Sequence, residues 1–280
     1  MPREASTPKA AERKASPPRI AEHVRVPDLP QHALPEWDAP LEEAVAELRK
    51  WSDAGDANAQ VQLTGRLKAC TPHALEHAAF LDNLDRASME SDARNQPGAD
   101  EHLAAKRDVA QSRIDRNAKI RAACAKLPKD LLDHWLDPAD RAAQAGDVGA
   151  MLTYAEGALD DFQDLTSIAA NIDEVIERRD KARVYLGEAA RRGDKRALVL
   201  LAEIYADTQI GLSNSPLYEK DPAQAYAYAF VVSRISGATP HERANMEWLM
   251  SESAERLDAQ GLARAQTEGE RLYQHCCAGR

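Results

Sequence analysis

From Asp38 onward, apolar residues recur at three- and four-residue spacing, and no stretch sustains a period of two. Leu41, Ala44, Val45, Leu48 and Trp51 trace one face of a first helix. Asp38-Ala39-Pro40 offers that helix an N-cap and an early proline, and Gly55 ends it before Asp56 caps the next. Neither Asn-Gly nor Asp-Gly, the strongest short hairpin signals, occurs. The pattern predicts an all-α chain.

Three blocks share one motif: Ala54-Gly55-Asp56-Ala57-Asn58-Ala59, Ala145-Gly146-Asp147-Val148-Gly149-Ala150 and Arg192-Gly193-Asp194-Lys195-Arg196-Ala197. In each, Gly-Asp is followed by Ala four residues after the Gly. Gly suits the left-handed C-cap of one helix, and Asp caps the N-terminus of the next. The small Ala falls one turn in, where two antiparallel helices must approach closely. The third block continues through Leu198, Leu201, Ala202 and Tyr205 to a stop at Gly211. A polar loop, Ser213-Asn214-Ser215-Pro216, then leads to Asp221-Pro222, which reopens a helix through Ala225, Tyr228 and Ala229 up to Gly237. A repeat of this kind predicts an α-solenoid of antiparallel helix pairs.

Residues 71–126 interrupt the array. Thr71-Pro72 starts a helix, Asn95-Gln96-Pro97-Gly98 reads as a turn, and a long charged helix follows from about residue 100 to 125. This segment is expected to be an inserted long helical hairpin. Residues 169–192 suggest one elongated helix. Residues 238–280 suggest two C-terminal capping helices, near 240–258 and 261–276, covering the core face of the last repeat. Eight of the 15 prolines lie in residues 1–40, so residues 1–36 read as a disordered Pro/Ala-rich arm or linker ahead of a helical repeat domain at 37–280. The arm lacks the apolar run of an intact signal peptide. It fits either a natural terminus or the spacer that follows a removed signal or anchor segment.

These residues resemble the Sel-one-like repeat family of the tetratricopeptide-like superfamily. Gly193, Ala197, Leu201, Tyr205, Gly211, Asp221 and Ala225 match that family's pattern, and Gly55, Ala59, Gly146 and Ala150 repeat its opening in two further units. The second unit departs from it in carrying Tyr154 where Leu is usual. The first lacks the loop and Asp-Pro segment that should follow. The resemblance implies a solenoid with adaptor or assembly roles, often in bacterial envelope or signalling pathways.

Composition narrows the function classes. Aromatics are 5% of the chain, so the core must be built from Ala, Leu, Val and Ile, which suits close helix packing. The longest apolar run, Ala225 to Val232, is eight residues, well short of the roughly 20 that a membrane-spanning helix needs. A net charge of −10 argues against a general nucleic-acid binder. Residues 127–280 hold nearly all of it, with 17 basic and 26 acidic side chains, so a basic partner is conceivable. An ordinary solvated acidic surface is the simpler explanation.

Candidate chemistry is sparse. His73, Glu76 and His77 fit H-x-x-E-H, the helix motif of inverted zinc peptidases, but no third ligand has a recognisable context. No G-x-S-x-G, phosphate-binding glycine loop or C-x-x-C occurs. Cys70 ends the helix before the insert and Cys124 ends the helix that closes it. If the insert folds back at Pro97-Gly98, its two arms match in length and the two cysteines meet at its base. A Cys70–Cys124 disulfide is therefore favoured over free thiols or a zinc site completed by His73 or His77. Cys276 and Cys277, adjacent in sequence, are not expected to pair with each other. A disulfide would favour an oxidising space, a periplasm before a cytoplasm.

The leading expectation is a non-enzymatic protein–protein interaction scaffold with no cofactor, no nucleic acid and a partner protein of unknown identity. Two alternatives stand beside it. One is an immunity or inhibitor protein that blocks a secreted toxin with the acidic half. The other is a cryptic zinc metallopeptidase at His73, Glu76 and His77.

Overall fold

The three Gly-Asp-x-x-Ala blocks form three copies of one turn. In a computed structural model, which describes residues 32–95, 101–162, 164–206 and 219–279, Gly55, Gly146 and Gly193 have φ of 93°, 98° and 76°. This left-handed region is open to Gly at little cost. Each turn closes the outgoing helix with two backbone bonds. In the first, Gly55 N–H donates to Ser52 O and Asp56 N–H to Trp51 O. The same pair of bonds recurs from Gly146 to Ala143 and Asp147 to Ala142, and from Gly193 to Ala190 and Asp194 to Ala189. The Asp then opens the incoming helix. Its Oδ1 accepts the backbone N–H of Ala59 at 2.8 Å, of Ala150 at 2.7 Å and of Ala197 at 2.9 Å. Those three alanines are fully buried.

These turns join α1 (Leu41–Asp53) to α2 (Ala57–Lys68), α6 (Asp137–Gln144) to α7 (Val148–Gly157), and α9 (Ile172–Arg191) to α10 (Lys195–Ala206). The other helices are α3 (Pro72–Asn95), α4 (Glu101–Cys124), α5 (Lys129–Asp133), α8 (Leu165–Ala170), α11 (Pro222–Arg234), α12 (Pro240–Glu255) and α13 (Ala259–Cys276). The described residues contain thirteen helices and no strand. The chain is all-α, with packed neighbouring helices in a solenoid-like arrangement. Contacts run along the chain: α1 on α2, α2 on α6 and α7, α7 on α9, α9 on α10, α10 on α11, and α11 on α12 and α13.

Packing is close because the crossings are lined with small residues. Ala139, Ala143, Ala182, Ala189, Ala202, Ala225 and Ala229 are fully buried among Leu48, Leu63, Leu67, Tyr185 and Leu201. A Cβ on Gly157 would stand 2.6 Å from the ring of Trp135, and one on Gly269 would stand 2.9 Å from the ring of Phe230. Tyr154, the departure from the repeat pattern, is buried and meets Tyr185 edge-on at 5.2 Å. Tyr205 stacks on Tyr228 at 5.9 Å across α10 and α11. Asp221 accepts from Ala223 and Gln224 N–H and starts α11.

Several boundaries differ from the pattern-based expectation. Pro40, not Asp38, is the N-cap of α1, and no side chain caps it. Residues 32–40 are held by tertiary contacts instead. The buried Arg66 donates to the carbonyls of Glu36 and Ala39 and lies 4.9 Å from the Trp37 ring, and His32 stacks on Trp51 at 3.6 Å. The expected arm lies outside the described residues as far as 31, and its last five residues pack on α1 and α2. The capping helices are Pro240–Glu255 and Ala259–Cys276. They open with Thr239, in a capping box with Glu242, and with Asp258. The long helix expected at 169–192 is preceded by the separate α8, capped by Asp164. The stop at Gly211 and the loop through Pro216 lie outside the described residues, as does the turn beyond Asn95.

The insert is the helix pair α3–α4. Asp82, fully buried on α3, accepts from Asn117 at 2.6 Å and pairs with Arg121 at 2.8 Å, both on α4. Asp85 takes Arg113. At the base, the sulfurs of Cys70 and Cys124 are at bonding distance, 1.93 Å, with Cα atoms 5.3 Å apart. Cys276 and Cys277 are also at bonding distance, 2.07 Å, contrary to the expectation that neighbours in sequence would not pair. Cys276 ends α13, Cys277 is its non-helical C-cap, and both side chains are buried in the core.

Two stability predictions follow from this packing. Ala197→Leu should overpack the α9–α10 crossing and lower stability by about 1–3 kcal/mol. An unchanged melting curve would mean that the crossing is not where the repeat places it. Joint replacement of Cys70 and Cys124 by Ser frees a 54-residue separation and should cost about 4 kcal/mol in the chain-entropy account. A non-reducing peptide map in which both cysteines alkylate freely would remove the bond from consideration.

Candidate functional site

Two acidic helical stripes face each other beside α7. Asp137 and Asp140 share a side of α6, and Asp133, at the end of α5, lines the same cleft. Glu174, Glu177 and Lys181 do the same on α9, with Arg178 next to them. Together with Tyr154 of α7 they enclose a cleft of about 290 Å³. The Gly146-Asp147 turn sets α7 against α6, and α9 packs on α7 to close the other side of the cleft.

The floor is a closed polar network. Asp140 accepts from Tyr185 Oη at 2.6 Å, Lys181 Nζ at 2.9 Å and Gln144 Nε2 at 3.0 Å. Lys181 also lies 5.6 Å from the Tyr154 ring centroid. Arg178 donates to Asp161 at 2.7 Å and pairs with Glu174 at 2.6 Å, while Trp135 Nε1 reaches Asp161 at 3.1 Å. The rim is different. Asp133, Asp137, Glu174 and Glu177 have about half or more of their side chains exposed. The lining therefore holds five carboxylates against two fixed cations, Arg178 and Lys181. An acidic rim over a neutralised, aromatic floor attracts a cationic group and offers its apolar stem a ring to lie on.

The residues singled out from the sequence occupy other places. His73 and His77 share one side of α3, with ring centroids 6.3 Å apart; His77 and Glu76 are exposed and His73 is half-buried. Among the described residues, no group of three or more His, Cys, Asp or Glu side chains is placed to hold a metal ion. Cys70 and Cys124 face each other instead of a histidine. Gly55, Ala59, Gly146, Ala150, Gly193 and Ala197 are the turn and crossing residues described above. Leu201 and Ala225 are fully buried, and Tyr205 packs against the core. The cleft itself was missed. The signal for it was the i, i+3, i+4, i+7 run from Glu174 to Lys181 and the run from Asp133 to Asp140, which look like ordinary solvated faces until the packing of α6 and α9 on α7 brings them opposite each other.

No protein-family model matches the chain, and no curated protein is significantly similar to it. Among the described residues, no helix is long and apolar enough to cross a membrane. What the fold itself defines is an all-α protein of packed helix pairs carrying an acidic cleft.

Burial, reinforced by Asp140, raises the phenol of Tyr154, and burial with the bond to Asp140 raises that of Tyr185. Burial also pushes Tyr228 up to about 12. Unfolded tyrosine ionises near pH 10. These neutral phenols therefore contribute stability that is fully present below pH 10 and is lost as pH rises through their native values. Absorbance at 295 nm should rise later for the native protein than for the denatured chain. Coincident titration curves would mean that the phenols are open to water.

Proposed function

We propose that the protein is a non-enzymatic interaction scaffold of the Sel-one-like repeat type, and that its acidic cleft holds a basic segment of a partner protein. The observation that carries this reading is the exposed rim of Asp133, Asp137, Glu174 and Glu177 above the Asp140–Lys181–Tyr185 floor. The floor groups are committed to one another, which favours holding a ligand over transforming one. Electrostatic steering by such a rim speeds encounter with a cationic surface and makes it salt-sensitive. The two cysteine pairs support an oxidising location, which fits an envelope adaptor. The same rim would serve an immunity protein against a basic toxin. That second reading draws on the acidic excess of residues 127–280.

Affinity capture at moderate salt, comparing the wild type with the joint variant Asp137→Lys, Glu174→Lys, Glu177→Lys, tests the site. A partner with a basic surface should be enriched by the wild type and reduced at least tenfold by the variant. Recovery of the same partners by both proteins would end the assignment of the cleft. Neutralisation of a secreted toxin by the wild type but not the variant would select the inhibitor reading.

A further inference from the structure

The inserted hairpin wears its apolar side chains on the outside. Among the described residues of α3, Asp82 is the one buried side chain. The seam with α4 is tied by polar groups, Asp82 with Asn117 and Arg121, and Asp85 with Arg113. Phe80, Leu84 and Leu81 are instead 59%, 51% and 43% exposed. Phe80 and Leu84 stand two residues before and after Asp82, about 200° round the helix from it. They therefore lie on the side of α3 that faces away from α4. Among the described residues no other element covers that side, because α3 packs chiefly on α4. An outward apolar face of this kind marks an interaction surface.

The surface is an ordered stripe. His73, His77, Phe80, Leu84, Ala87 and Ser91 follow one another at alternating four- and three-residue steps, the spacing of one helix face. None of the six carries a formal charge, in a chain of which 29% is charged. Turned end for end about the level of Asp82, the stripe falls on itself. Phe80 then meets Leu84, His77 meets Ala87, and His73 meets Ser91. The two bulky apolar residues meet at the centre, each His77 ring faces a small residue, and no like charges are opposed along the stripe. Leu81 widens the apolar centre on one flank. A partner chosen by charge needs an answering charge on this face, whereas a second copy of the same face needs none.

We propose that two copies of this protein associate through α3, the two helices antiparallel about a twofold axis that passes between Phe80 and Leu84. The contact is isologous, with Phe80 of each copy packed on Leu84 of the other. One helix lying on one helix covers less than the roughly 1,600 Å² of a standard interface. The pairing is therefore reversible, with a dissociation constant on the order of 10 µM. The stripe belongs to the insert, and the acidic cleft to α5, α6, α7 and α9. The fate of one proposal does not decide the other.

Sedimentation equilibrium of the full chain across about 1–100 µM tests the pairing. The average mass should climb from monomer toward dimer. Phe80→Glu and Leu84→Glu should each weaken association at least tenfold. Trp248→Glu, at an exposed apolar side chain of α12, should leave it unchanged. Circular dichroism and a melting curve check that each variant is folded. Trapping tests the register. The four native cysteines are paired, so Phe80→Cys and Leu84→Cys each add a single thiol. Mixed under mild oxidation, these two chains should form a covalent dimer at least tenfold faster than Trp248→Cys mixed with Leu84→Cys. The proposal is overturned if the mass stays monomeric, if the dimer survives both Glu variants, or if the Phe80→Cys and Leu84→Cys pair is trapped no faster than the control. A monomer whose Phe80→Cys thiol alkylates faster once residues 1–31 are removed gives the stripe to the arm. A monomer whose thiol alkylates at once gives it to a different protein. Either result also overturns self-association.

Discussion

A helix ends with unsatisfied carbonyls and begins with unsatisfied amides, and this chain answers both needs within two residues. At each Gly-Asp turn, the glycine's left-handed backbone lets the outgoing carbonyls receive N–H groups, and the aspartate's oxygen receives the third amide of the incoming helix's first turn. A turn this short leaves no slack. The two helices lie side by side at close range, so the residue at the crossing must be small, and Ala59, Ala150 and Ala197 fill that place. The alanine-lined crossings and the placement of α7 against α6 beside the acidic cleft trace back to that geometry.

The same need for satisfied amides is met differently where no aspartate is available. α6 begins at Leu136, whose side chain caps nothing. Its Ala139 amide is taken instead by the hydroxyl of Thr64, fully buried on α2, at 3.0 Å, while that hydroxyl donates to Gln60 O at 2.9 Å. One threonine thus joins two helix pairs that lie on either side of the 71–126 insert. It is a polar group in the core with every role filled, and it fixes the register of α2 on α6 in a way that apolar contact alone would not.

The chain's local rules were open to reading in advance, and its long-range pairings were not. Gly55, Gly146 and Gly193, the buried alanines after them, and the meeting of Cys70 with Cys124 follow from spacing, because each is decided by neighbours a few residues away or by two arms of equal length. Thr64 meeting Ala139, Arg66 holding the carbonyls of Glu36 and Ala39, and Asp140 joining Lys181 and Tyr185 depend on which helix faces come together across tens of residues. Periodicity gives each face but not its partner. Asp38 shows the same limit at short range: a favourable cap in the sequence yields when tertiary contacts from Arg66 and Trp37 pull the segment elsewhere. The histidine pair on α3 shows the reverse, a motif of three positions with no surroundings to complete it.

The base of the hairpin carries a further consequence. Because α2 packs directly on α6 and α7, the array is continuous beneath the insert, and the chain leaves it and returns at Cys70 and Cys124, whose Cα atoms are 5.3 Å apart. Consecutive Cα atoms are about 3.8 Å apart, so one or two residues would bridge the gap. The hairpin is therefore a cassette. Its outer length can be shortened, exchanged or evolved while the base, where α4 meets α1, stays in place, and the array serves as a plinth on which such an arm is presented.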